Sequence, residues 1–162
     1  MISNIYPCDN KQSSTSTIDI ANVPIQKLTL TSPSLSLNAS GVIFTGTAGE
    51  YLTFGDIVYL KSDGKYWKAK GDVYSTAAVV GMAAATIGIN TSGNFLQLGI
   101  ARNDSWNWTI GDKLYLSVTT GGTMTQTAPT ADTNQLVYIG YALTATSINF
   151  NPTPIIIEIT TA

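Results

Sequence analysis

The sequence contains no histidine. That removes the commonest general base, the usual activator of a nucleophile and the commonest metal ligand, so no Ser-His-Asp or Cys-His arrangement can be built. It contains one cysteine, Cys8, which excludes a disulfide within the chain and a cysteine-based zinc site. Charge is scarce: 11% of residues are charged, under half the roughly 25% usual in soluble domains. Eight Lys and Arg stand against ten Asp and Glu for a net charge of -2, which gives no electrostatic footprint for nucleic acid. No apolar run approaches the roughly 18 residues of a membrane span, so no membrane insertion is expected. The start, Met1-Ile2-Ser3-Asn4-Ile5-Tyr6-Pro7, has no basic region followed by an apolar run, and no secretory signal is read there. The expectation is a chain made and folded in a cytoplasm.

In place of charge the sequence has hydroxyls. Thr fills about one position in seven, and Thr, Val, Ile and Tyr suit a pleated, half-buried surface. At 162 residues the chain is long enough for one domain with a real core.

One short phrase occurs twice. Phe54-Gly55-Asp56-Ile57-Val58-Tyr59-Leu60 is answered by Ile110-Gly111-Asp112-Lys113-Leu114-Tyr115-Leu116. Each copy is an apolar residue, a Gly-Asp turn and a strand ending in Tyr-Leu. A glycine-bearing turn follows each, Asp63-Gly64 and then Gly121-Gly122. Further on, Val79-Val80-Gly81-Met82-Ala83 is echoed by Tyr138-Ile139-Gly140-Tyr141-Ala142. Glycine takes positive φ without steric cost and Asp bonds the backbone just beyond it. The repeated aspartates therefore read first as turn-formers. Asp63-Gly64 is a strong hairpin signal, with Lys65-Tyr66-Trp67-Lys68-Ala69-Lys70 as the return strand, Trp67 and Ala69 inward and Tyr66 on the other face. Ala78 to Ala85 has helix-forming alanines, but Gly81, the valine pair and the repeat favour a strand. Asn94 to Ala101 reads as another strand, with Phe95, Gln97 and Gly99 opposing Leu96, Leu98 and Ile100.

Strands recur every eight to twelve residues with turn residues between them and no amphipathic helix. The expectation is an all-β fold, a small antiparallel sandwich or barrel built from two similar halves. It spans residues 42–162 with an internal duplication. Residues 1–41 differ: the polar tract Ser13-Ser14-Thr15-Ser16-Thr17 is followed by short alternating pieces broken by Pro24 and Pro33. They read as an extended N-terminal arm for attachment or oligomerisation. A lone two-stranded element is marginal in water. The arm therefore needs the main domain or another subunit to lie against, or is disordered. Its apolar side chains Leu28, Leu30, Leu35 and Leu37 are candidates for that contact.

Chemistry is hard to place. The ten carboxylates could in principle supply the pair that hydrolyses a glycoside, but Asp56, Asp63, Asp104, Asp112 and Asp132 adjoin turn residues. No loop has the spacing of a calcium-binding EF-hand, no phosphate-cradling glycine loop occurs, and Gly-Asp precedes a strand here rather than a helix. No cofactor and no catalysis are expected. The strongest binding candidates are Trp106 and Trp108, which share a side if the segment is extended. Exposed, they make a stacking platform for a sugar or an anchor for a protein; buried, they cover the seam between the halves.

The run from Gly49 through Tyr51-Leu52-Thr53-Phe54-Gly55-Asp56 to Tyr66-Trp67-Lys68-Ala69 resembles the start of a small β-domain that recurs in tailed-phage virion proteins of the fibre and decoration type. Arg102-Asn103-Asp104-Ser105-Trp106-Asn107-Trp108, Leu114-Tyr115-Leu116-Ser117, Thr125-Gln126-Thr127-Ala128-Pro129 and Gly140-Tyr141-Ala142 through Phe150-Asn151-Pro152-Thr153-Pro154 extend the resemblance over residues 46–159. It implies a structural or binding role and carries over no catalytic residues. The expectation is a virion protein on the capsid surface, a decoration or head-fibre protein anchored by its arm. Its partners would be the major capsid protein or other virion proteins, and resemblance to fibre proteins implies a homotrimer. The rival is a tail-fibre or receptor-binding module that recognises a host-surface glycan or protein.

Overall fold

The computed structural model describes residues 30–160. Leu28, Cys8 and the arm up to residue 29 lie outside the described residues. The described chain is all-β, ten strands and a single helical turn. In order these are β1 (Asn38–Thr47), β2 (Ile57–Leu60), β3 (Tyr66–Lys68), α1 (Tyr74–Ala77), β4 (Val79–Ala83), β5 (Ser92–Arg102), β6 (Lys113–Leu116), β7 (Met124–Thr125), β8 (Gln135–Ala142), β9 (Ser147–Phe150) and β10 (Ile156–Glu158). Every named strand pair is antiparallel, and the sheet curls into a half-barrel.

The duplication is carried by the backbone. The hydrogen-bonded path runs β3-β2-β4-β5-β9-β8-β6-β7. Matching β2 to β6, β3 to β7, β4 to β8 and β5 to β9, it reads the same from either end. The Gly-Asp turns match bond for bond: Gly55 N–H donates to Ala83 O and Gly111 N–H to Ala142 O, both at 2.9 Å. Ala83 N–H returns to Asp56 O at 2.8 Å and Ala142 N–H to Asp112 O at 3.0 Å. Gly55 and Gly111 take φ of +94° and +85°, the left-handed region that glycine enters freely. In each copy the register also slips at one place. Val58 and Tyr59 face Gly81 and Val79, passing over Val80, and Leu114 and Tyr115 face Gly140 and Tyr138, passing over Ile139. These matched β-bulges bend and twist the strands, which helps the sheet to curl.

The copies differ in what they bury. In β2, Ile57 belongs to the main core with Met82, Leu96, Leu114, Leu116, Ile148 and Phe150. Its neighbour Val58 belongs to a second core with Leu52, Ile87 and Phe95, against which Phe44 and Tyr66 pack. The first copy is thus covered on both faces, and an unbroken apolar run is the pattern that two covered faces require. In β6, Lys113 is exposed while Leu114 and Leu116 are buried, the alternation of a strand with one covered face.

Several expectations are corrected. The body starts at Asn38 rather than Val42, because residues 38–41 already pair with residues 102–99 of β5. Leu35 to Leu37 is not a strand: it bends, with Leu37 at φ +54°. Phe95 and Leu96 oppose each other as expected, in different cores, but alternation along β5 fails beyond them, because Gln97 is passed over between the pairs Val42–Leu98 and Ile43–Leu96 and Ala101 joins Leu96 in the main core. Tyr66, expected outside, packs on Phe95 at 4.7 Å and Phe44 at 5.3 Å between ring centroids. Trp67 is in neither core. It lies under Lys61 Nζ, 4.3 Å from the ring, and donates to Asp63. With both faces of this copy covered, alternation alone does not say which side chain is deepest. The strand favoured over a helix within residues 78–85 is β4, preceded by the one helical turn α1.

Candidate functional site

The turn after β6 crosses back to the first copy. Ile57 N–H donates to Gly122 O and Gly122 N–H to Ala69 O, both at 2.8 Å. Gly122, at φ +78°, sits so close to Asp56 that a Cβ there would lie 2.7 Å from Asp56 Oδ1. The segment between β5 and β6 carries Trp106 and Trp108 over the same place. Together these pieces enclose a cleft of about 310 Å³ lined by Thr53, Phe54, Gly55, Asp56, Trp106, Trp108, Gly122, Thr123 and Met124.

Its aromatic wall is a chain of three rings. Phe54 and Trp106 have centroids 6.2 Å apart, and Trp106 and Trp108 have centroids 6.0 Å apart at 51°. Trp106 is seated on Gly55, where a Cβ would stand 3.2 Å from the indole. Both tryptophans are half-buried and pack against the main core. They therefore do part of each task expected of them: they cover the seam between the copies and wall an open cleft. The Trp108 indole N–H is sealed from solvent with no acceptor among the described residues.

The cleft's polar end is Asp56, 8% exposed. Its Oδ2 accepts from Thr53 N–H at 2.7 Å and from the Thr53 hydroxyl at 3.0 Å, and Lys68 Nζ lies 3.2 Å away. Asp56 is the turn-former expected from its sequence and is also a wall of the cleft. Sequence reasoning did not assign it to a site. Its counterpart Asp112 is exposed, and nothing lies within 4 Å of where a Cβ on Gly111 would be. Phe54, Asp56 and Met124 come together only because the second copy's turn folds onto the first, a contact with no local signature.

The root of the arm forms a second feature at the C-terminal end of β5, where the tryptophan segment begins. Arg102 makes a two-pronged contact with Asp104, Nε to Oδ1 at 2.7 Å and Nη2 to Oδ2 at 3.3 Å, which raises the guanidinium pKa further above its usual value. Its Nη1 donates to the carbonyls of Pro33 at 3.3 Å and Ser34 at 3.1 Å. Asp104 N–H donates to Ser36 Oγ at 2.9 Å, and the hydroxyls of Ser32 and Ser147 are 3.1 Å apart. The backbone of residues 32–36 is thereby strapped to the body, yet Leu35 and Leu37 are 67% and 58% exposed. Leu30 is half-buried. Trp106 and Trp108 thus lie together in one cleft, while Leu30, Leu35 and Leu37 are not part of it.

Among the described residues no three His, Cys, Asp or Glu side chains gather to hold a metal, and no helix is long and apolar enough to cross a membrane. Neither a protein-family model nor a curated protein sequence matches the chain.

Proposed function

We propose that the chain is a structural protein of a tailed-phage virion, carried on the capsid surface as a decoration or head-fibre protein, attached through its N-terminal arm and without a catalytic role. The observation that carries this reading is the strapped root of the arm. Its backbone is fixed by Arg102, Asp104 and Ser147 while Leu35 and Leu37 are left in water. Fully burying a leucine is worth about 1.5–3 kcal/mol, a gain realised when another protein covers this edge. Val42 and Leu98, paired across β1 and β5, are exposed as well. The partners are the major capsid protein or other virion proteins, and the assembly a homotrimer.

The test adds full-length chain, or chain lacking residues 1–37, to capsid shells devoid of it, followed by co-sedimentation. The cut falls before Asn38 because that residue is already paired in β1. Full-length protein is expected to bind to saturation and the shortened chain not to bind, with both folded. Shortened protein that still saturates the shells overturns the reading. The aromatic cleft favours a second reading, a tail-fibre or receptor-binding module for a host-surface glycan or protein. In that case purified protein competes with phage adsorption, which a capsid decoration protein leaves unchanged.

A further inference from the structure

We propose that the cleft between Trp106 and Asp56 binds one neutral pyranose ring, its apolar face on the Trp106 indole and one of its hydroxyls donating to Asp56 Oδ1. This deepens the receptor-binding reading but stands on the cleft alone; sugar binding and arm-dependent attachment are measured separately, so either can fail without the other.

Size comes first. About 310 Å³ is at the lower end of the roughly 300–1,000 Å³ of ligand sites and holds a single small ring. The hydrogen-bonding balance then selects the chemistry. Asp56 Oδ2 is engaged by Thr53 and Lys68, whereas Oδ1 accepts no hydrogen bond among the described residues. The hydroxyls of Thr53 and Thr123 already donate, to Asp56 and to Thr120 O at 2.9 Å, and keep only acceptor lone pairs. Among the described residues two indole donors in the walls are unpaired: the Trp108 N–H, which is sealed from solvent, and the Trp106 N–H, which is not. The cleft presents more acceptors than donors, so the ligand that suits it brings hydroxyl donors on an otherwise apolar body.

Two ligand types do that, a sugar and an organic cation. The ion pair decides between them. Lys68 Nζ stands 3.2 Å from Asp56 and already offsets the carboxylate, so a cation would enter against a resident positive charge. A neutral polyol pays no such penalty. Its axial and equatorial hydroxyls meet the acceptors while its C–H face lies on the indole. An anion is refused by the same acceptors.

The experiment is saturation-transfer NMR and calorimetry on the full chain, with methyl pyranosides of glucose, galactose, mannose, N-acetylglucosamine and N-acetylgalactosamine. Tetramethylammonium is the cationic comparison. At least one pyranoside is expected to bind saturably with a Kd of about 1–10 mM. Trp106→Ala weakens that binding about ten-fold or more, while Trp106→Phe, which keeps a ring for stacking, loses less. Trp67→Ala, on β3 outside the cleft, leaves it unchanged. Urea unfolding of each variant separates lost binding from lost fold. Binding of tetramethylammonium alone, binding of none of the probes, or equal loss in Trp67→Ala and Trp106→Ala overturns the proposal.

Discussion

Asp56 and Asp112 occupy the same position in the two copies of one phrase, and replacing each by alanine should have very different costs. Asp56→Ala removes an acceptor from Thr53 N–H at 2.7 Å and from its hydroxyl at 3.0 Å, and it strips Lys68 of a partner at 3.2 Å. Hydrogen bonds to a charged group contribute about 1.5–3 kcal/mol. The ion pair adds little: its side chains are 29% and 10% exposed, between the surface case and the buried one. The expected loss is about 2–3 kcal/mol, or a Tm lower by roughly 5–10 °C for a domain of this size. Asp112 is exposed, with no side-chain hydrogen bond or ion pair among the described residues, so Asp112→Ala should fall within about 0.5 kcal/mol of the parent. Asp56→Asn keeps an oxygen for Thr53 and loses the charge, and should lie between the two. Urea unfolding reads the difference as a shift in midpoint at constant m-value. Equal costs for Asp56→Ala and Asp112→Ala would refute the assignment of Asp56 as the anchor of the cleft.

Three further outcomes follow from the geometry. Gly140→Ala places a Cβ 1.9 Å from Asn149 O in the neighbouring strand; the β8–β9 pairing must open, at about 3 kcal/mol, whereas Gly111→Ala meets open space and costs only the strain of positive φ, about 1–2 kcal/mol. Arg102→Ala frees the Pro33 and Ser34 carbonyls and should speed proteolysis between Ser34 and Leu37 several-fold, with the urea midpoint of the body little changed because exposed ion pairs contribute little. Tyr138 has its pKa raised above 10 by burial and then by Tyr141 and Tyr115. A raised folded pKa means the folded state holds the proton longer, so this contribution is present below pH 10 and is lost as pH rises beyond it; in an alkaline unfolding series Tyr138→Phe should flatten the decline above pH 10.

The duplication was legible because turn chemistry is local. Gly55-Asp56 and Gly111-Asp112 announce the same φ and the same return hydrogen bonds wherever they sit. Strand identity was legible too, since β-branched and aromatic runs between turns have few other fates. What failed was parity. The bulge at Gln97 brings Leu96 and Ala101, which strict alternation would put on opposite faces, into the same core, and a single unpaired residue reverses every inference drawn from alternation beyond it. Tyr66 and Trp67 were misplaced for a related reason: one copy is covered on both faces. The two tryptophans stood out by type and spacing. Their partners come from two segments far apart in sequence, Asp56 before β2 and Gly122 with Met124 in the turn into β7, and nothing within either segment predicts the meeting.

The central claim concerns where the chain resides and how it is held. The direct measurement is cryo-EM of intact particles labelled with an antibody fragment raised against the β-body, which leaves the N-terminal arm unobstructed. The account predicts label on the capsid shell at regular sites, with the arm-bearing edge around Arg102 toward the shell. Label confined to the tail tip, or particles that carry no copy of the chain, would contradict it.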